Sequence, residues 1–284
     1  MDHIKVKDDW ARSAPPLDEL VKDIRDERIG KKAGIALVIP SFKRPELLRQ
    51  HIAILEKQST KGFDVIAVYG QDDEYIIPHP GMGMVHIRRK FDIGSAGAFY
   101  LGELYALKEG YDILIIADDD CLPAADSLIL ELKRALDDAD AATPWVIFTP
   151  QKWRSEGVIS MYRAYRREAF EKVGLSFLPF YTGGEDFDMM WRIKREGIRT
   201  VQTQELVAHP KLMPPILWSR LRTHHYGRNI LHLLQLQGNF IRSMAAFFTQ
   251  SMMALAFKLL GNRMAGAYWG FVISAAFGTF FYED

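Results

Sequence analysis

The chain has 284 residues, of which 48% are hydrophobic and 25% are charged, values typical of one large globular domain or of one domain with an appendage. Its 36 Lys and Arg residues balance its 36 Asp and Glu residues, so the basic field that nucleic-acid binding needs is absent. A single cysteine, Cys121, excludes an intramolecular disulfide framework, and the polar residues Met1 to Asp9 lack the apolar segment of a secretory signal. We therefore expect a cytoplasmic protein.

The order of apolar and polar segments predicts an α/β sheet. Residues 1–33 are rich in charge, with a weak helical pattern from Leu17 to Ile24, and we interpret them as an N-terminal extension. Beyond them, strands alternate with helices, which is typical of a mostly parallel sheet with helices on both faces. The predicted elements are a strand over Ile35–Ile39, a helix from Pro45 to about Lys57, strands over Phe63–Tyr69 and Met84–Ile87, a helix over Gly94–Glu109, a strand over Tyr111–Ala117, a helix from about Ala124, a helix over 185–196 and a strand over Thr200–Ala208.

The strand over Tyr111–Ala117 ends in three consecutive carboxylates, Asp118, Asp119 and Asp120. Like charges at this spacing raise one another's pKa and destabilise the fold unless a cation neutralises them. Hard oxygen ligands suit Mg²⁺ or Mn²⁺, and the carboxyl ends of strands are where α/β sheets bind ligands. The triplet therefore indicates a metal site that can hold a diphosphate. The alternative is a solvated acidic turn.

The composition changes in the last part of the chain, which is rich in Phe, Met and Ala. Between Phe240 and Tyr282 the charged residues are Arg242, Lys258 and Arg263. The longest uncharged stretch approaches the ~20 residues that span a bilayer, but glycines interrupt it. We expect residues 231–284 to form an apolar helical segment that lies on the cytosolic face of the cell membrane or in the interface of a homo-oligomer.

Three motifs together resemble family 2 glycosyltransferases of the GT-A fold. The strand that ends in Pro40-Ser41-Phe42-Lys43-Arg44-Pro45 is similar to their opening strand, the Asp triplet resembles their DxD motif, and Gly183-Gly184-Glu185-Asp186 is similar to their acidic acceptor-side motif. Three such motifs in the family's order are specific where one would be weak. The resemblance implies a GT-A domain over residues 34–230. It also implies metal-dependent, inverting, non-processive transfer from a UDP- or dTDP-sugar to a glycan or lipid-linked acceptor.

The resemblance also assigns roles to the acidic motif. An inverting displacement needs one base to take the proton of the acceptor hydroxyl as it attacks C1 of the sugar. Asp186 matches the family's base position, and we assign Glu185 to acceptor binding. Gly183 and Gly184 let the backbone approach the sugar closely. An ordinary helix N-terminus with acidic residues in its first turn is the alternative.

A histidine is expected to complete the metal site. The family often places one about two dozen residues after the base, at the end of a short strand, and His209 stands 23 positions after it. A neutral imidazole beside Asp118 and Asp120 suits Mn²⁺. His224 and His225 compete for this role.

The remaining site candidates are expected to contact the two substrates. Arg88 to Phe99 resembles the R-x-x-N-x-G-G-A-G-G-F segment of galactofuranosyl- and rhamnosyltransferase-type members, although a tight strand–helix turn would also explain its glycines. Asp72 or Asp73 can accept a hydrogen bond from a uracil or thymine base. The donor-binding candidates are Pro40, Ser41, Arg44, Asp72, Gly94, Gly97, Asp118 and Asp119. The acceptor-binding candidates are Gly184, Glu185 and the aromatic residues Trp153 and Tyr181, for which core packing is the alternative.

Two other functions compete with this interpretation. A nucleotidyltransferase also uses carboxylates at strand ends, but it usually has a glycine-rich basic loop after the first strand, and Pro40 to Pro45 lacks glycine. A nucleotide-sugar or glycan-binding protein without catalysis is the second. His225 to Asn229 resembles the Y-x-x-R-N segment of the galactofuranosyl-type members, and it stands where processive synthases carry Q-x-x-R-W. The sugar, the base and the acceptor are not specified by the sequence.

Overall fold

The computed structural model describes residues 16–28, 32–75, 82–149, 153–155, 162–176 and 185–210. The helices in these ranges are α1 (Leu17–Leu20), α2 (Pro45–Leu55), α3 (Gly94–Glu109), α4 (Leu128–Asp138), α5 (Arg167–Val173) and α6 (Glu185–Arg195). The strands are β1 (Val21–Asp26), β2 (Ile35–Pro40), β3 (Phe63–Tyr69), β4 (Gly83–Arg89), β5 (Ile113–Ala117), β6 (Leu122–Pro123), β7 (Ala141–Thr149), β8 (Trp153–Ser155), β9 (Tyr162–Arg166) and β10 (Thr200–Pro210).

The strands of the described residues form one sheet in the order β1-β4-β3-β2-β5-β9-β7-β10-β6, with β8 paired to β7. The block β4-β3-β2-β5 is parallel, as is the pair β7 and β10. Strand β9 lies antiparallel between β5 and β7. Because the four strands of the first block share a direction, their carboxyl ends meet along one edge, where α/β sheets bind ligands.

Apolar side chains cover both faces of the sheet, as the continuous apolar runs of β2 and β3 predict. On one face the buried core includes residues of α3, α5 and α6, such as Leu101, Phe170 and Met189. On the other face it includes residues of α2 and α4, such as Leu48 and Leu132. The predicted arrangement of one α/β sheet with helices on both faces is therefore confirmed.

Helix α3 lies unusually close to the sheet at Gly102. A Cβ atom at this position would lie 2.3 Å from Cγ1 of Val38 in β2 and 3.2 Å from Cγ2 of Val68 in β3. Glycine is therefore required here by the close approach of helix and sheet. This contact fixes the height of α3 above the parallel block.

The N-terminal part of the sheet differs from the expectation. The weak pattern from Leu17 to Ile24 predicts a helix, but the helix stops at Leu20 and β1 pairs antiparallel with β4, with Ile24 opposite Ile87. Pairing satisfies the backbone groups of both strands, which outweighs a weak helical pattern. The sheet therefore starts within the residues that the sequence assigns to an extension.

A second difference follows the Asp triplet. The predicted helix from about Ala124 begins at Leu128, because Leu122 and Pro123 form β6 and the Ala124 N–H donates to the Leu206 carbonyl at 3.0 Å.

The predicted apolar segment over residues 231–284 lies outside the described residues. Among the helices that the structure describes, none has the length and apolar character to cross a membrane.

Candidate active site

The Asp triplet forms a turn at the carboxyl end of β5, closed by the Cys121 N–H, which donates to the Asp118 carbonyl at 3.2 Å. Asp119 and Asp120 are buried and Asp118 is half-buried. The Ser41 hydroxyl, just after β2, donates to Asp119 Oδ2 at 3.2 Å. Burial raises the pKa of Asp119 to about 6, Arg44 and Ser41 oppose that rise, and the charge of Asp120 adds to it. The turn is thus an acidic, partly desolvated site at the edge of the sheet.

Arg44 places a positive charge on this turn from the loop that precedes α2. Its Nη1 atom lies 3.3 Å from Asp119 Oδ1 and 2.9 Å from Asp120 Oδ2. The Arg44 side chain is 38% exposed, so it lies at the opening of the site. The sequence places Arg44 in the donor site but does not predict this pairing with two of the three carboxylates.

His209 meets the same turn from β10. Its Nε2 atom lies 3.4 Å from Asp120 Oδ1. The register of β6 and β10 explains this, because Leu122 lies opposite Ala208 and the residues just outside this pair are Cys121 and His209. The competing His224 and His225 lie outside the described residues.

The ligand atoms at this turn suit a divalent metal ion whose remaining ligands would come from substrate and water. In the described ranges no three His, Cys, Asp or Glu side chains form a group that could hold a metal ion by themselves. Asp120 and His209 nevertheless supply a carboxylate and an imidazole, a set that suits Mn²⁺. Metals of this kind often take one or two protein carboxylates and complete their coordination with substrate phosphates and water.

A neutral layer of side chains lies behind the acidic turn. His51 in α2 is fully buried, with Nε2 at 3.3 Å from the Tyr162 hydroxyl. Burial lowers the pKa of His51 to about 4, a shift that the Asp119 backbone opposes. Burial also raises the pKa of Cys121 well above its usual value, so this thiol is no candidate nucleophile. The sequence analysis missed His51, although its spacing from Leu48 and Leu55 places it on the apolar face of α2.

Asp72 and Asp73, the two candidates for hydrogen bonding to the nucleotide base, lie in the loop after β3 but have different environments. Asp73 Oδ2 accepts the N–H of Gly70 at 2.9 Å and the N–H of Lys43 at 3.2 Å. Lys43 has a φ of 55°, so the hydrogen bond from its N–H to Asp73 stabilises a left-handed backbone conformation in the loop that carries Ser41 and Arg44. Asp72 is exposed. Asp73 therefore has a structural function, and the carboxylate of Asp72 lies at the surface.

The glycine-containing segment forms a tight strand–helix turn. Gly94 has a φ of 69°, and its N–H donates to Asp92 Oδ1 at 2.9 Å. The buried Arg89 donates to the carbonyls of Tyr69 and Gly94, each at 3.1 Å. A Cβ atom at Gly97 would lie 2.6 Å from Ile93 Cβ. Gly94 and Gly97 are therefore explained by the backbone geometry and packing of the turn, which the Asp92 carboxylate holds.

The acidic acceptor-side motif leads into α6. Glu185 is half-buried, and its Oε1 atom accepts a hydrogen bond from the Ser95 hydroxyl at 2.8 Å, which links α6 to the start of α3. Asp186 is the second residue of α6, and Trp153 is the first residue of β8. Tyr181, Gly183 and Gly184 lie outside the described residues.

Comparisons with known proteins support this architecture. No protein-family model matches the chain. The chain is 26% identical over 181 residues to the polyprenol monophosphomannose synthase of Mycolicibacterium smegmatis, an alignment that covers 54% of this chain and 64% of that enzyme. It is 25% identical over 233 residues to the galactofuranosyltransferase GlfT1 of the same organism, which covers 67% and 76% respectively. The chain therefore spans less than two thirds of the length of the first relative.

A solved structure supports the fold independently. The mannosyltransferase PcManGT from Pyrobaculum calidifontis, in complex with GDP-Man and Mn²⁺, has a TM-score of 0.55 and 12% sequence identity, and the match covers 91% of this chain and 92% of that one. At this identity the likeness concerns the fold. Together the comparisons confirm the predicted fold and the predicted family resemblance.

Proposed function

We propose that the protein is a family 2 glycosyltransferase of the GT-A fold, which moves a sugar from a nucleotide-diphosphate donor to an acceptor hydroxyl by a metal-dependent, inverting displacement. The observation that carries the proposal is the environment of Asp120. One of its oxygens lies 2.9 Å from Arg44 and the other lies 3.4 Å from His209. A carboxylate, an imidazole and a guanidinium thus converge at the edge of the sheet where a diphosphate would leave.

In this proposal Asp118, Asp120 and His209, which do not form a three-ligand group by themselves, would hold Mn²⁺ or Mg²⁺ together with the phosphates of the donor. The metal, when bound, neutralises charge on the leaving diphosphate. Arg44 binds the same phosphates and is suited to them, because a guanidinium can donate two parallel hydrogen bonds. Ser41 and Asp119 hold the acidic turn in place. The mannosyltransferase PcManGT, which shares the fold, is solved with GDP-Man and Mn²⁺, and we propose ligands of the same two classes for this chain.

The rest of the donor site is proposed from its position on the same edge. Pro40 ends β2, Gly94 and Gly97 lie in the first turns of α3, and Asp72 lies in the exposed loop after β3. We propose UDP or dTDP as the nucleotide, with Asp72 accepting a hydrogen bond from the base.

The acceptor hydroxyl is proposed to lose its proton to Asp186 as it attacks C1 of the sugar. A single base is sufficient for inversion, because the reaction needs one displacement and no covalent intermediate. Glu185 binds the acceptor, and the Ser95 hydroxyl holds its carboxylate at the start of α6. Gly184, Trp153 and Tyr181 are proposed to complete the acceptor site.

The acceptor is proposed to be a glycan or a lipid-linked saccharide. One curated relative is named as a polyprenol monophosphomannose synthase and the other as a galactofuranosyltransferase. We propose that the apolar residues 231–284 hold the enzyme on the cytosolic face of a membrane, where such an acceptor lies. A homo-oligomer that buries the same residues is the competing arrangement.

The decisive experiment measures the leaving group. Purified protein is incubated with UDP-, dTDP- and GDP-sugars and a glycan or polyprenyl phosphate acceptor, with Mn²⁺ or with EDTA. We expect release of the nucleoside diphosphate with Mn²⁺ and its loss with EDTA, and NMR of the product should show an inverted anomeric centre. Release of pyrophosphate would indicate a nucleotidyltransferase instead, and equal turnover in EDTA would contradict the metal's role.

Membrane attachment is tested separately by flotation with anionic liposomes. The full chain should float with the lipid, whereas a chain ending at Gln237 should not. Full-length protein that stays out of the lipid fraction and runs as a discrete dimer would assign the C-terminal segment to a subunit interface.

A further inference from the structure

A fully buried carboxylate, Glu103, lies in the middle of α3, and the proposed reaction does not use it. Both of its oxygens accept hydrogen bonds from Ser176. The Ser176 N–H donates to Oε2 at 2.6 Å and the Ser176 hydroxyl donates to Oε1 at 2.7 Å. Ser176 follows α5, so Glu103 fixes the chain just after the end of α5.

Helix α3 also holds the start of α6. The Ser95 hydroxyl, in the first turn of α3, donates to Glu185 at the start of α6. Ser95 and Glu103 are eight positions apart in the sequence, which at ~1.5 Å rise per residue places the two anchors ~12 Å apart along α3. Helix α3 therefore holds both Ser176, just after α5, and Glu185, the first residue of α6.

Helix α6 is also fixed from its own inner face. Asp188 Oδ2 pairs with Arg192 Nη2 at 2.7 Å, and both side chains are buried. Arg192 Nη1 donates to the carbonyl of Val173, the last residue of α5, at 2.7 Å. The ion pair is one turn inside α6, so it holds the helix against α5 immediately below Glu185 and Asp186.

Packing alone does not explain a carboxylate at position 103. Burial raises the pKa of Glu103 to about 7, whereas the Ser176 hydrogen bonds and the charge of Arg192 lower it. A leucine would fill the same helix face without removing a charged group from water. What the carboxylate provides and a leucine does not is a fixed, two-point attachment of Ser176.

We propose that Glu103 is a positioning residue for the start of α6. By holding Ser176 on α3, it fixes the end of α5, to which Arg192 ties α6, and hence it sets where Glu185 and Asp186 stand relative to the donor. This inference rests on the proposed function of those two residues.

The test compares Glu103→Ala and Glu103→Gln with a control, Leu132→Ala. Glutamine keeps both attachments, because its amide oxygen can accept the Ser176 N–H and its NH₂ can donate to the Ser176 hydroxyl. Leu132 is fully buried on the opposite face of the sheet, so its replacement destabilises the fold without touching α6. All variants are assayed at a temperature at which circular dichroism shows them to be folded.

We expect Glu103→Ala to lower kcat for sugar transfer by ~10–100-fold, because small displacements of a catalytic group have effects of this order. Its affinity for the nucleotide, measured by calorimetry, should stay within about twofold of wild type, since the acidic turn is unaltered. Glu103→Gln should recover most of the lost kcat, and Leu132→Ala should retain it. Equal losses of kcat in Glu103→Ala and Leu132→Ala would overturn the proposal.

Hydrogen–deuterium exchange gives a second result that does not depend on turnover. Amides of residues 185–195 should exchange faster in Glu103→Ala than in Glu103→Gln, and identical rates would overturn the proposal. If no nucleotide sugar is turned over by the wild type, the proposed function fails and the exchange comparison alone decides the positioning. If Glu103→Ala does not fold, Ser176→Ala replaces it, because that change removes the 2.7 Å hydroxyl contact and retains the N–H contact.

Discussion

Replacing Glu103 with glutamine should change how the stability of the protein depends on pH. Burial raises the pKa of this carboxyl from an ordinary value of 4.5 to about 7 in the folded protein. Between these two values the folded state binds more protons at Glu103 than the unfolded state does. The free energy of unfolding contributed by this group therefore falls as the pH rises from 4.5 to about 7, and it stays low above that.

The size of the effect follows from the shift. A rise of the pKa from 4.5 to about 7 corresponds to ~3.5 kcal/mol, since each tenfold change in the ionisation constant is worth ~1.4 kcal/mol. Charged and titratable groups face Glu103 from its surroundings. The charge of Arg192 lowers the pKa of Glu103. Burial raises the pKa values of Tyr100 and Tyr165, and the charge of Glu103 adds to that rise. Glutamine removes the titration but keeps the hydrogen bonds to Ser176.

Urea unfolding of wild type and Glu103→Gln at pH 5 and at pH 8 measures this directly. The stability of the variant relative to wild type should rise by ~2–3 kcal/mol between the two pH values, because other titrating groups largely cancel in the difference. Leu132→Ala is the control, since it loses no titratable group and its effect should be the same at both pH values. A Glu103→Gln difference that does not change with pH would refute a raised pKa of Glu103 in the folded protein.

Other predictions concern the metal, the base, the loop arginine and the close packing of α3. Asp120→Ala should abolish the Mn²⁺-dependent part of nucleotide binding in calorimetry, and equal affinity of the wild type with EDTA would contradict this. Asp186→Asn should lower turnover by ~10²–10⁴-fold while nucleotide binding persists, and near-native turnover would move the base to another residue. Arg44→Gln should strengthen Mn²⁺ binding to the nucleotide-free protein about fivefold by EPR, because a half-exposed ion pair worth ~1 kcal/mol no longer competes; unchanged affinity would argue against competition. Gly102→Ala should destabilise by ~1–3 kcal/mol in urea, whereas Gly62→Ala, whose Cβ would meet its nearest atom at 3.9 Å, should have little effect.

Much of the fold was predictable because local patterns determine it. The apolar run of β3 and the helix of α3 were predicted with the bounds that the structure has, Phe63–Tyr69 and Gly94–Glu109. In β3 every residue except Asp64 is apolar, and Gly94 and Gly110, both with positive φ, mark the ends of α3. Turn glycines and buried strands can therefore be predicted from short runs of neighbouring residues.

Long-range pairing was not predictable in the same way. Strand β9 enters the sheet antiparallel between β5 and β7, and β6 pairs with β10 over only two residue pairs. No local period specifies which distant strand a short segment will join. The resemblance placed His209 in the site, whereas its contact with Asp120 depends on this β6–β10 register.

The sequence around Glu103 contains a local signal that indicates a buried carboxylate. The sequence around it, from Ala96 to Leu107, is apolar on all sides of the predicted helix, which is typical of a buried helix. A carboxylate in the middle of such a helix must find hydrogen-bond donors from outside it. The sequence therefore predicts that Glu103 has a partner, although it does not identify Ser176.

The acidic turn itself requires a more careful physical argument than its charge suggests. Three adjacent carboxylates need a cation, and the sequence alone makes a metal the obvious one. In the structure, Arg44 already lies against Asp119 and Asp120, so part of the repulsion is relieved by the chain's own guanidinium. The charge of the turn is therefore an insufficient argument for a metal. The stronger argument is the imidazole of His209 beside Asp120, because an imidazole is a ligand that Mn²⁺ accepts.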